Sequence, residues 1–165
     1  LPTRRAYLVK DGILVGRLHS RETAGIMGEP ITGNARALNY TFPPIVRMRN
    51  TCIAPGEASL EDMIKDIDLG LYAVGSGGGQ TNGARVNCMA RHGFMIRDGK
   101  SAELVKDVKL MGNVFTTLEN IDMIGNDLKA RDGAGGCGKG GQSPLPTSGL
   151  CPSIRIQNVI VGGGK

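Results

Sequence analysis

Glycine placement constrains this chain more than any other feature. Of 165 residues, 26 are glycine, against three Tyr, three Phe and no Trp. The glycines gather at Gly75 with Gly77 to Gly79, at Gly133, Gly135, Gly136, Gly138, Gly140 and Gly141, and at Gly162 to Gly164. Clusters without a period exclude a collagen-like chain and point to loops that need positive φ or close backbone approach. Apolar residues make up 40%, which argues against wholesale disorder. The length fits a single domain, residues 1–165, able to bury a core.

Between the clusters the pattern is one of short strands and tight turns. Ala6 to Leu18 reads as a hairpin turning at Asp11-Gly12, and Gly93 to Lys100 as a second turning at Asp98-Gly99, both pairs suited to a primed turn. Ser20 to Met27 predicts a short helix ending at Gly28, Gly33 to Pro44 a long loop, and Ile45 to Cys52 a strand. Ser59 to Tyr72 reads as the clearest helix, with Ser59 as N-cap, Asp62 three residues on, and Leu60, Met63, Ile64, Ile67 and Leu71 at helical spacing. Val114 to Ile124 reads as a second helix closed by Gly125. Ala84 to Ala90, Val105 to Leu110 and Ile154 to Val161 read as strands. The expected fold is α+β: a β-rich domain of hairpins and mixed sheet with two main helices.

Charge and cysteine usage narrow the function classes. Twenty Lys and Arg against fifteen Asp and Glu give a formal charge of +5, but the basic residues are dispersed among acids. No basic run interleaves with aromatics, so a specific nucleic-acid surface is not expected. No apolar stretch reaches spanning length and no signal-peptide pattern is present. Cys52, Cys88, Cys137 and Cys151 form no Cys-x-x-Cys pair, which excludes a four-cysteine zinc ribbon. A reduced, cytoplasmic setting is expected. The chain opens at Leu1 without an initiator Met, the start expected of a piece of a longer protein.

Gly135-Gly-Cys-Gly-Lys-Gly-Gly-Gln142 is the most unusual segment. Flanking glycines let the backbone bring one thiol close to something else, and Lys139 would stabilise a thiolate for metal binding or attack. The same residues also suit a small buried side chain in a tight turn. Gly77, Gly78, Gly79 and Gln80 lack Walker spacing and better suit a strand edge open to a peptide backbone, or a flexible loop. His19 and His92 have no second ligand at metal spacing, Glu22 being a lone His-x-x-Glu partner, and are expected to be structural. Cys52, Cys88 and Cys151 are expected to be fillers.

In order, Arg49-Asn-Thr51, Pro55-Gly56, Gly77-Gly-Gly-Gln80, Ile124-Gly-Asn-Asp-Leu128, Gly136-Cys-Gly-Lys139 with Gly141-Gln142, Pro152-Ser-Ile-Arg-Ile156 and Val161-Gly-Gly163 resemble the C-terminal domain of the TldD/PmbA family over essentially the whole chain. The resemblance implies a zinc metallopeptidase, long named a modulator of DNA gyrase, acting on unstructured peptides. It implies Zn2+ held by two histidines of an upstream His-Glu-x-x-x-His helix, whose Glu is catalytic, and by a cysteine that corresponds here to Cys137. That cysteine places the chain with the TldD-like branch, and the partner is expected to be a second copy or a PmbA-like subunit without ligands. His19 is followed by Ser20 and His92 by Gly93, so no His-Glu-x-x-x-His occurs in these residues. The chain alone is expected to carry no catalytic residue, to hold zinc poorly and to be inactive. The alternative is a non-catalytic interaction module that binds a partner subunit or gyrase.

Overall fold

The structure, a computed structural model, describes residues 4–131 and 136–162. Gly133, Gly135, Gly163 and Gly164 of the glycine clusters, and Leu1, lie outside the described residues. The chain forms two compact units, Leu1–Thr51 with Arg131–Gly149, and Cys52–Ala130 with Leu150–Lys165. The architecture is α+β and β-rich, with short strands and, among the described residues, three short helices, Arg21–Met27, Leu60–Ile64 and Val114–Glu119.

The first unit holds several two-stranded ribbons and one helix. Val9–Lys10 pairs antiparallel with Ile13–Leu14 around Asp11 and Gly12, both at positive φ, as a primed turn requires. The Arg21–Met27 helix starts at Ser20, whose hydroxyl accepts from the Thr23 amide, and stops at Gly28 in the left-handed region. Within the expected 33–44 loop, Ala35–Arg36 is a short strand paired with Ile45–Val46. The expected strand from Ile45 to Cys52 is therefore two pieces, Ile45–Val46 and Thr51–Cys52. Cys137–Lys139 pairs with Gln142–Leu145.

The second unit holds two larger antiparallel sheets. One orders Lys100–Lys106, His92–Arg97 and Leu69–Val74; the other orders Ile160–Gly162, Lys109–Asn113, Arg85–Met89 and Gly78–Asn82. Met63, Ala90, Ile96 and Val108 are buried at its core. Two helices are shorter than their periodicity predicts. Ser59 caps Leu60–Ile64 through a capping box with Asp62, but the helix stops there, and Leu69–Val74 is a strand paired with His92–Arg97. The amides of Asp98 and Gly99 reach back to the Asp68 and Ile67 carbonyls, and a Cβ on Gly99 would lie 2.5 Å from the Lys65 carbonyl oxygen. The hairpin turn thus occupies the space where a continuing helix would run. Likewise Val114–Glu119 ends at Asn120, not Gly125, because Ile121–Ile124 pairs with Ile154–Ile156. In both places non-local pairing overrides local helical spacing.

Candidate functional site

Gly136, Gly138, Gly140 and Gly141 of the central glycine cluster fold into the hairpin that presents Cys137. Gly136 has φ 89, and a Cβ there would meet the Leu145 carbonyl oxygen at 2.5 Å, so a side chain would force the ribbon apart. Gly140 and Gly141, at φ 58 and 74, close the turn between Lys139 and Gln142, which pair across it. Cys137 sits opposite Leu145 and is half-buried.

Two buried polar side chains fix this hairpin. Gln142 is 2% exposed; its Oε1 accepts from the Leu38 amide at 2.8 Å and its Nε2 donates to the Pro43 carbonyl oxygen at 3.0 Å. Arg47 is 1% exposed and turns one edge of its guanidinium to Cys137. Its Nε donates to Cys137 Sγ at 3.4 Å, and its Nη2 donates to the Cys137 carbonyl oxygen and to that of Gln142 at 3.1 Å. Arg47 is held in turn by Asn34, whose Nδ2 donates to the Arg47 carbonyl oxygen at 3.0 Å and whose own carbonyl accepts from the Arg47 amide at 2.9 Å.

Lys139 does not have the role its adjacency suggests. Its ammonium donates to the Val46 carbonyl oxygen at 2.9 Å, and the cation bonded to the sulfur is Arg47. Sequence reasoning missed Arg47 because it lies 90 residues from the thiol. The available signal was an arginine between Val46 and Met48 in an alternating stretch, a position that reads as surface charge.

The Gly77 to Gln80 segment belongs to the second unit. The Gly77 amide donates to the Met89 carbonyl oxygen at 2.7 Å, and Gly78–Asn82 is the outermost strand of its sheet, paired on one side with Arg85–Met89. All five strand residues are exposed, which leaves one backbone edge open. His19 is 2% exposed and tied by Nδ1 to Thr23 Oγ1 at 3.1 Å and by Nε2 to Glu29 Oε2 at 2.8 Å. Its partner is thus Glu29, not Glu22, and the hydrogen bond from His19, with Arg17 beside it, holds the Glu29 carboxyl below its ordinary range. His92 packs edge-on against Phe94 with ring centroids 5.8 Å apart. Cys52 and Cys88 are exposed, and Cys151 is half-buried with its thiol on the Pro152 carbonyl oxygen.

Among the described residues no three His, Cys, Asp or Glu side chains gather where they could hold a metal ion. A thiol fixed by a guanidinium N–H has the donor chemistry of one zinc ligand, and such sites need at least three from protein. Cys137 fits one corner of such a site, and the described residues do not form the others.

A glycine hairpin that presents a thiol, on a β-rich α+β domain, is the feature to set beside known proteins. The profile of the PmbA/TldA metallopeptidase C-terminal domain matches residues 1–163, and the chain belongs to that family. It is 53% identical over 163 residues to a metalloprotease of Synechocystis, covering 99% of this chain and 35% of that protein. It is 33% identical over 161 residues to a zinc metalloprotease TldD homolog of Saccharolobus solfataricus, covering 97% of this chain and 36% of that one. The fold is that of TldE from Thermococcus kodakarensis, with a TM-score of 0.76 at 24% identity, over 98% of this chain and 34% of that one. The chain thus spans about a third of the length of the relatives it matches. No described helix is long and apolar enough to cross a membrane.

Proposed function

We propose that this chain is the C-terminal, metal-completing domain of a zinc-dependent peptidase acting on unstructured peptides, with Cys137 as one zinc ligand. The observation that carries the reading is the Cys137 thiol held at 3.4 Å by the buried Arg47 Nε. When bound, zinc polarises a scissile carbonyl and activates water; this chain's part is to supply and orient one thiolate. The open edge of Gly78–Asn82 supports a second role, in which backbone groups from Gly77 to Gln80 pair with a peptide and leave side-chain selectivity loose. The chain alone is inactive in this reading, and the working protein is a cytoplasmic homodimer or a heterodimer with a PmbA-like subunit.

The test is made on the full-length protein. Cys137→Ala is expected to lose most bound zinc and the cleavage of an unstructured peptide together. Zinc content and cleavage both unchanged would overturn the ligand assignment. A wild-type protein that neither holds zinc nor cleaves would favour the alternative, a non-catalytic module for a partner subunit or gyrase.

A further inference from the structure

A guanidinium at 1% exposure is costly to bury without a counter-charge. Arg47 has no carboxylate partner among the described residues; the ion pairs there join other side chains. Its partners are the Cys137 sulfur and the carbonyl oxygens of Cys137 and Gln142. Nη1 is buried with no partner among the described residues. A cation that merely filled a polar hole would satisfy all of its donors. This one leaves a nitrogen unpaired while committing the Nε and Nη2 edge to Cys137, at both its sulfur and its carbonyl oxygen.

The planar fork matters here. Nε–H and one Nη2–H lie on the same edge in a fixed geometry, so gripping both atoms of one residue sets the direction of the Cα–Cβ–Sγ arm as well as its position. Asn34 anchors the Arg47 backbone from both sides, and the Gln142 side chain ties the far strand of the hairpin to Leu38 and Pro43. The sulfur is therefore aimed by groups that need no metal to be in place. An N–H donor on a metal-bound thiolate also withdraws electron density from sulfur, as outer-shell partners of metal ligands do.

We propose that Arg47 is the positioning residue of the metal site: its Nε–Nη2 edge holds Cys137 at Sγ and the carbonyl oxygen, and so fixes and tunes the sulfur that binds the metal. The inference rests on Cys137 being a ligand, and the experiment separates the two claims.

Full-length protein is loaded with Co2+ in place of zinc, and the sulfur-to-cobalt charge-transfer band is recorded during titration for wild type, Cys137→Ser, Arg47→Met and Arg47→Lys. Wild type is expected to show the band and Cys137→Ser to lack it. Arg47→Met is expected to keep the band but move it to longer wavelength, because sulfur lone pairs lose the N–H that stabilises them. Its cobalt affinity is expected to fall about tenfold to a hundredfold. Arg47→Lys retains charge without the fork, and is expected not to restore the wild-type band position.

A band that stays in place in Arg47→Met, with affinity within about twofold of wild type, overturns the proposal and leaves the ligand reading standing. A wild type without the band overturns the ligand reading and the proposal together. Full restoration by Arg47→Lys overturns the fork in favour of charge alone. Should Arg47→Met not fold, cadmium-113 NMR of the wild type decides: scalar coupling between the metal and the Arg47 Nε–H supports the bond to sulfur, and its absence in a spectrum that resolves that proton overturns it.

Discussion

Within Leu1–Thr51 and Arg131–Gly149, the buried side chains are His19, Asn34, Arg47 and Gln142 beside Ala24 and Leu145. Within Cys52–Ala130 and Leu150–Lys165 they are Met63, Ala90, Ile96, Val108 and Pro152, with no buried polar side chain among the described residues. Apolar burial is non-directional and accepts any well-shaped filler. Hydrogen bonds to carbonyls and amides accept only particular atoms at particular angles. The second unit is thus built to hold sheets together, and a largely covered cation in it, Arg155, is paired with the carboxylates of Asp66 and Asp122. The first is built to hold one side chain in one direction. That is the requirement of a metal ligand, and Cys137 lies on the ribbon the polar network clamps.

This contrast can be broken by substitution. The largest effect is expected in the apolar interior: Ile96→Ala leaves a cavity in a strand paired on both sides and should cost about 3 kcal/mol in urea unfolding. In the polar interior, Gln142→Met keeps the side chain's length but leaves the Leu38 amide and Pro43 carbonyl unpaired. It should cost about 2 kcal/mol and speed hydrogen exchange at the Leu38 amide. The matched swap in the second unit, Met63→Leu, preserves volume and should cost less than about 1.5 kcal/mol. Equal costs for Gln142→Met and Met63→Leu would remove the distinction between the two interiors.

The smallest effect is electrostatic and falls mainly in the second unit. The Ser59 hydroxyl, with Lys65, holds Asp62 down to about 2, and Arg97 holds Glu103 down to about 2. Asp122 is lowered chiefly by Arg155, and Asp127 by the Ser153 amide. Each folded-state value lies below the unfolded one of about 4. Their stabilisation is therefore complete above that value and is lost as pH falls toward 2. The melting temperature should be level from pH 7 to about 5 and drop below about 4, and Asp62→Asn should flatten that drop slightly. A melting temperature that rises on acidification below pH 4 would contradict these assignments.

Local chemistry made much of the frame legible. The Asp11-Gly12 and Asp98-Gly99 turns, the Ser20 and Ser59 caps and the Gly28 stop are all set by a few adjacent residues, and each is where sequence rules place it. Leu69–Val74 and Ile121–Ile124 were illegible because their apolar spacing suits a helix, while their partners, His92–Arg97 and Ile154–Ile156, are distant in sequence. The site divides in the same way. Glycines beside Cys137 announce a special backbone, but the guanidinium that holds the sulfur comes from Arg47, and no local pattern connects them. Lys139, the neighbour that looks suitable, is bonded to Val46 instead.

The most direct measurement of the central claim is zinc-edge X-ray absorption of the full-length protein. One sulfur at about 2.3 Å, with the remaining scatterers nitrogen or oxygen at about 2.0–2.2 Å, is the predicted shell, and the sulfur should vanish in Cys137→Ser. Zinc surrounded only by nitrogen and oxygen in the wild type would contradict the account.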